Sequence, residues 1–379
     1  MLRLEPRREP SLPMFYFTPF LAVLLALTGG AVLFAFLGKP PLDTLRMIFI
    51  QPLTSPRGVS ELLVKGTPLI LIAIGLAMGF RGGIWNIGAE GQFTIGALTG
   101  GSVALAVYPE AGFWLLPAMA LAGALGGMAW AAIPALLRTR FNTNEILVSL
   151  MLTYVATLLL TSLTHGPLRD PQGYNFPESR IFQVSLPVII EGTRAHIGFL
   201  VALALAAVSW VLMQHHMLGY QLRVLGQAPK AARFGGFSEN RLVWLSFLIS
   251  GGCAGLAGLF EAAGPVGQLV PALPVGYGFT AIIVAFLGRL HPGGIVLAGL
   301  LLALTYIGGE TAQIALSLPA ATTSVFQGMF LFFLLGTDAL VNYRPRWVPR
   351  RASVPAVGAA QATAGAAQAM RSVPLSSAE

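Results

Sequence analysis

Gly82-Gly83-Ile84-Trp85-Asn86-Ile87-Gly88-Ala89-Glu90-Gly91-Gln92 sets four glycines, the Asn86 amide and the Glu90 carboxylate between two apolar stretches of membrane-spanning length. A carboxylate near the middle of a bilayer costs about 2.5–3.5 kcal/mol on insertion scales, so a chain keeps one there where it lines something polar. The stretch predicts a membrane protein built around a polar pathway.

The rest of the chain agrees with that class. Of 379 residues, 55% are hydrophobic and 10% charged, against about 25% charged in ordinary soluble domains. The net charge of +8 does not point to nucleic acid, because the basic residues lie in short segments between apolar runs, as membrane orientation requires. Cys253 is the single cysteine, which excludes an internal disulfide and a cysteine metal cluster. There is no H-E-x-x-H and no G-x-S-x-G sequence to suggest a membrane-embedded hydrolase.

A window of about 20 residues per span finds about ten candidates. They cover residues 17–37, 62–80, 88–107, 113–137, 145–164, 197–214, 242–263, 278–288, 293–308 and 322–341. The chain therefore reads as a cytoplasmic N-terminal segment (1–16), an all-α transmembrane domain (17–341) and a cytoplasmic tail (342–379). The first span has no small-residue cleavage site after it and reads as retained, not as a signal peptide. The tail, rich in Ala, Gly, Ser, Pro and Gln, reads as disordered.

Ten spans with the N-terminus inside put Arg81, Arg138, Arg140, the 215–241 loop, Arg289 and the basic cluster at 344–351 in the cytoplasm, and the 165–196 loop outside. Two halves of five spans would then have opposite orientation. The third span of each half follows a helix-breaking stretch, Gly79 to Gly91 in one and Pro271 to Gly278 in the other. Interrupted helices at matching positions of inverted repeats are a recurring way to build a substrate path.

Asn86, Gly88, Glu90 and Gln92 are the candidate pathway residues. Asn86 and Glu90, if helical, share one face at i,i+4, and Gly88 and Gly91 permit close backbone approach. Gln92 falls on another face. The competing structural reading makes Asn86 a cap and Glu90 a first-turn acid favoured by the helix dipole. Asn142 and Glu145 form a capping-box-like start to the fifth span, and Lys65 reads as snorkelling. Glu261 and Glu310, near the outer ends of their spans, face either a vestibule or the interface.

The long loop carries GYQLRVLGQAPKAARFGGFSENR at 219–241. Pro229 suits the first position of a helix, Lys230 to Phe234 continue it, and Gly235-Gly236 end it. Arg233 and Phe234 are available to a partner, though an ordinary surface turn has the same pattern.

GIWNIGAEGQ at 83–92, NTNEILVSLMLTYVA at 142–156, the G-x-x-x-x-A-A-x-x-x-G pattern from Gly226 to Gly236 and GYGFTAIIVAFLGRLHPGG at 276–294 together resemble the permease subunit of a bacterial ABC importer for nucleosides. The wider family includes ribose and branched-chain amino-acid permeases. The resemblance covers all but the termini and implies a type II ABC-importer-like fold in the plasma membrane. It implies a second related permease, a cytoplasmic ATP-binding subunit and an extracytoplasmic binding protein, often a lipoprotein. It makes the loop helix a coupling helix, with Pro229, Ala231, Ala232 and Gly235 against the ATPase and Arg233 beside them. Val224-Leu225 stands where relatives tend to have Ala-Val. The chain has no G-x-x-x-x-G-K-[ST] phosphate loop, its only Gly-Lys pair being Gly38-Lys39 before Pro40, so ATP would be used by the partner. The alternatives are a permease for ribose or another sugar and a self-contained, ion-coupled carrier working through Glu90.

Overall fold

The computed structural model describes residues 2–6, 12–109 and 112–347. Within them the regular structure is helical apart from one pair of short strands. The helices are α1 (Leu12–Phe36), α2 (Pro41–Phe49), α3 (Pro56–Arg81), α4 (Ala89–Ala106), α5 (Leu115–Phe141), α6 (Glu145–His165) and α7 (Gly198–Gln214). They continue as α8 (Met217–Gln227), α9 (Pro229–Phe234), α10 (Glu239–Glu261), α11 (Tyr277–Leu287), α12 (Pro292–Leu316) and α13 (Ala320–Asn342). Strand β1 (Leu2–Pro6) pairs antiparallel with β2 (Tyr343–Trp347). The expected disordered tail lies, from residue 348 onward, outside the described residues.

Local chemistry sets the helix ends. Proline occupies the first turn of α2, α3, α9 and α12, where its missing N–H costs nothing. Ser55, Asn144 and Ser238 accept backbone N–H groups at the starts of α3, α6 and α10. The expected capping role of Asn142 passes to Asn144: Asn142 instead ends α5 in the left-handed region at φ 52°. Glu145 turns away from the cap to meet Arg138 at 2.5 Å.

Helices stand at all ten positions expected for spans, but they are not equivalent. Six are long and apolar enough to cross a membrane, those of α1, α3, α5, α6, α10 and α12, and the α7–α8 pair, bent by 67°, makes a seventh if it counts as one span. Helix α11 has 11 residues, about 16 Å at 1.5 Å per residue, which cannot cross a hydrocarbon core of about 30 Å by itself. Its shortness follows from the Pro271-to-Gly278 interruption.

Helix α3 is the axis of the bundle, buried without a break from Gly66 to Phe80, and α7, α10, α11 and α12 pack around it. Helix α10 also crosses α4 and α5 at backbone contact. A Cβ at Gly255 would lie 2.2 Å from the Gly123 carbonyl oxygen, and one at Gly96 would lie 2.1 Å from the Gly255 Cα. Small residues four apart (Gly123 and Gly127, Gly251 and Gly255) thus let three helices approach within a membrane, where van der Waals packing replaces the hydrophobic drive. Helices α1 and α13 pair on the outside of this core.

Candidate translocation site and coupling loop

Helix α3 stops where Gly82 and Gly83 turn the chain, Gly83 at φ 69°, a conformation glycine adopts without the Cβ penalty. Asn86 follows before α4 begins, so it and Glu90 do not share a helix face as the i,i+4 reading expected. The Asn86 amide instead pairs reciprocally with Gln92: its Nδ2 donates to Gln92 Oε1 at 2.9 Å, and Gln92 Nε2 donates to Asn86 Oδ1 at 3.1 Å. Asn86 Nδ2 also donates to Ser250 Oγ of α10, and Oδ1 accepts the Gly88 N–H. The Ser149 hydroxyl of α6 accepts the Ile87 N–H at 3.2 Å. The break is fastened to two other helices by groups that are fully used in holding it.

Glu90, 3% exposed, reaches across to the other interrupted helix. Its carboxylate accepts the N–H groups of Gly276 at 2.7 Å and Gly278 at 2.5 Å, at the start of α11, where those amides have no partner within the helix. A Cβ on Gly278 would lie 2.3 Å from the Glu90 nitrogen. The two helix N-termini therefore abut, and a carboxylate at the positive end of α11 is favoured by the peptide dipoles as well as by the hydrogen bonds.

A second polar cluster joins this one from the 261–277 side. Lys65 of α3 places its ammonium 3.9 Å from Glu261 Oε1 and 3.8 Å from Glu310 Oε1, and 5.6 Å above the Tyr277 ring. The Tyr277 hydroxyl donates to Glu261 Oε1 at 3.3 Å, and Tyr306 and Thr280 share a 2.9 Å hydrogen bond. Glu261 Oε2 is buried without a hydrogen-bond partner, while Glu310 is 58% exposed. Lys65 is thus pinned among carboxylates instead of snorkelling. The sequence signal was available in three charges near the outer ends of three separate spans; Tyr277 and Tyr306 carry no such mark.

Between α10 and α11 the chain unwinds through a π-helical turn, Ala262–Val266, and Gly267 and Gly276 adopt positive φ. The 165–197 loop lies along it. Ser179 N–H donates to Leu269 O, Phe182 N–H to Gly267 O and Leu186 N–H to Ala263 O, and Arg194 bonds both Glu61 and Pro265 O. At the end of this loop His196 accepts the Gly198 N–H through Nδ1. Burial, and after it the neighbouring Arg194 charge, push the His196 imidazole down to about 4.

At the opposite end of the bundle, α8 and α9 form the loop that carries Pro229 to Gly235. Pro229, Ala231, Arg233 and Gly235 are exposed, and so is Phe234, at 94%. Ala232 is fully buried within the chain's own loop, with its carbonyl accepting the Phe237 N–H. Arg233 donates to Glu239 Oε2 at 2.8 Å, and Glu239 Oε1 lies 4.0 Å from Arg138, which also pairs with Glu145. One line of charge thus connects α9 to the starts of α10 and α6 and the end of α5. Among the described residues no group of three His, Cys, Asp or Glu could hold a metal ion.

Comparison with known proteins agrees with this architecture. A glucose ABC transporter permease protein, TsgB13, of Haloferax volcanii is 38% identical, covering 90% of this chain and 93% of the relative. A guanosine ABC transporter permease protein, NupP, of Bacillus subtilis is 30% identical over 85% and 93%. A nucleoside ABC transporter permease protein, NupB, of Lactococcus lactis subsp. cremoris is 25% identical over 83% and 89%. No solved structure matches the chain. The resemblance to nucleoside permeases stands, and the ion-coupled carrier gives way to an ABC permease. Residues 58–335 match the model of the branched-chain amino acid transport system / permease component, and the chain belongs to that family of multi-pass membrane permeases.

Proposed function

We propose that this chain is the membrane subunit of an ATP-driven importer that carries nucleosides into the cell by alternating access. The observation that carries the reading is the convergence of Lys65, Glu261, Tyr277 and Glu310 from four helices, which brings donors, acceptors and an aromatic ring together on otherwise apolar walls. A nucleoside is neutral and rich in hydroxyls and ring nitrogens, so its path needs a few hydrogen-bonding groups and no strong net charge. Asn86, Gly88, Glu90 and Gln92 are, in this reading, the fixed midpoint of the path. They hold the broken starts of α4 and α11 together, as matching third helices of an inverted five-plus-five repeat.

The cytoplasmic ATP-binding subunit docks on the exposed face of α9, against Pro229, Ala231, Arg233 and Gly235, with Phe234 as the projecting apolar group and Ala232 supporting the loop from behind. A second, related permease completes the pathway, and an extracytoplasmic binding protein, anchored as a lipoprotein, delivers the cargo. The chain lies in the plasma membrane with both termini cytoplasmic, and ATP is hydrolysed by the partner.

A sugar is the second reading, favoured by the 38% identity to a relative named as a glucose permease. Uptake of radiolabelled guanosine, in cells without other nucleoside carriers that express the chain with its partners, tests the two. The expected result is ATP-dependent guanosine uptake, suppressed by excess inosine and not by glucose or ribose. Uptake of glucose or ribose without guanosine replaces the nucleoside reading by the sugar reading.

A further inference from the structure

Where α11 turns into α12, a groove of about 530 Å³ opens beside α1. Its walls are apolar, formed by Phe20 and Val23 of α1 and by Leu297 and Leu301 of α12. Phe20 is 75% and Leu297 72% exposed, so the groove opens sideways from the bundle, toward hydrocarbon. Its end is different: Arg81, Arg289 and His291 line it there, and among the described residues no acidic side chain lines it. Among the described residues no carboxylate lies within ion-pair distance of Arg81. Arg289 is positioned by a bond to Thr18 of α1, which ties the basic end to the apolar wall. His291 accepts the Gly293 N–H through Nδ1, holding the ring at the start of α12.

We propose that this groove binds an anionic phospholipid, its phosphate against Arg81 and one acyl chain along α1 and α12. The dimensions suit that occupant, because Pro292 to Leu301 spans about 14 Å of helix, close to the about 15 Å hydrocarbon depth of one leaflet. The chemistry suits it as well. A free phosphate would use Arg81 and leave the apolar walls unused, whereas a zwitterionic lipid would bring a cation to a basic end. Basic pockets between membrane helices are known to select anionic head groups. With the orientation proposed above, the leaflet is the cytoplasmic one.

The experiment uses the assembled transporter in mixed vesicles of phosphatidylcholine and phosphatidylglycerol, extracted gently and weighed by native mass spectrometry. The wild-type complex should retain phosphatidylglycerol above its bulk fraction. Arg81→Gln should reduce that enrichment about fivefold, as expected for one basic contact near a membrane surface, while Arg81→Lys should keep most of it. Ala298→Phe, which fills the apolar wall and leaves every charge in place, should lower retention of either lipid. Melting curves of each variant separate loss of lipid from loss of fold. Equal retention of both lipids by the wild type, enrichment indifferent to Arg81→Gln and Ala298→Phe, or displacement of the lipid by millimolar inorganic phosphate would each overturn the proposal. So would a complex that retains no lipid because its second permease covers the groove.

Discussion

Glu90 and Gly278 lie 188 residues apart in sequence, yet the Gly278 N–H donates to the Glu90 carboxylate at 2.5 Å. Each belongs to a helix that begins inside the bundle instead of at its surface, and each removes the other's difficulty: a buried acid gains two donors, and the start of α11 gains an acceptor for its unpaired amides.

Glu90→Ala should therefore lower both stability and uptake, because it leaves the Gly276 and Gly278 amides unsatisfied at about 1–3 kcal/mol each. Glu90→Gln, with one oxygen in place of two, should fall between wild type and alanine. Melting of the purified complex and initial uptake rates measure the two effects. Glu90→Ala with wild-type melting would remove the clamp between α4 and α11 from the account.

Lys65→Met takes the cation from a carboxylate that is 6% exposed. Breaking one side of a buried pair costs about 3 kcal/mol, so the single variant should melt early. Adding Glu261→Gln removes the orphaned charge and should return most of the stability. Cargo transport should not return with it if the cluster contacts the cargo, and recovery of both together would make the cluster purely structural.

Truncating Phe234 tests the loop. The ring is 94% exposed, so Phe234→Ala should leave the isolated permease unchanged. Copurification with the ATP-binding subunit should weaken by about 2 kcal/mol or more, as for a docked aromatic anchor. Ala232→Asp should behave differently and disturb the loop itself, since Ala232 faces inward.

His196 gives the outer loop a pH dependence. Its folded value near 4 lies below the ordinary 6.5, so the opened loop binds the proton more readily, and closure weakens as pH falls from 6.5 toward 4. Once divided by the intrinsic rate, which itself slows as pH falls, hydrogen exchange of residues 186–198 should show an excess of opening at pH 5 over pH 7. His196→Gln should remove that excess, and an unchanged profile would assign the pH response elsewhere.

Orientation can be read with single cysteines at Ser185 and Ser238 in a Cys253→Ser background, both positions being exposed. An impermeant thiol reagent added to whole cells should label Ser185→Cys and spare Ser238→Cys. The reverse pattern inverts the topology.

The glycine run, the helix positions and the short helix α9 were legible in the sequence because each is a local pattern: apolar length, turn chemistry, a proline followed by a short helix. What Glu90 does was not. A carboxylate in a first turn announces a favourable dipole, but its partners Gly276 and Gly278 lie on a helix whose approach only the packed bundle determines. Lys65 shows the same limit, since a lysine near a helix end snorkels by default and only the approach of α10, α11 and α12 supplies Glu261, Tyr277 and Glu310. Asn86 failed for a local reason: its helical spacing to Glu90 assumed a helix that Gly88 delays until Ala89.

The pairing of Leu2–Pro6 with Tyr343–Trp347 has a consequence for parity. Two ends held side by side lie on the same face of the membrane, and a path that leaves a face and returns to it crosses an even number of times. Seven crossings would set the paired strands on opposite faces. If the bent α7–α8 pair traverses the bilayer alongside the six long helices, an odd number of further traverses must be made among the remaining helices, the short α11 and the glycine-rich α4 included.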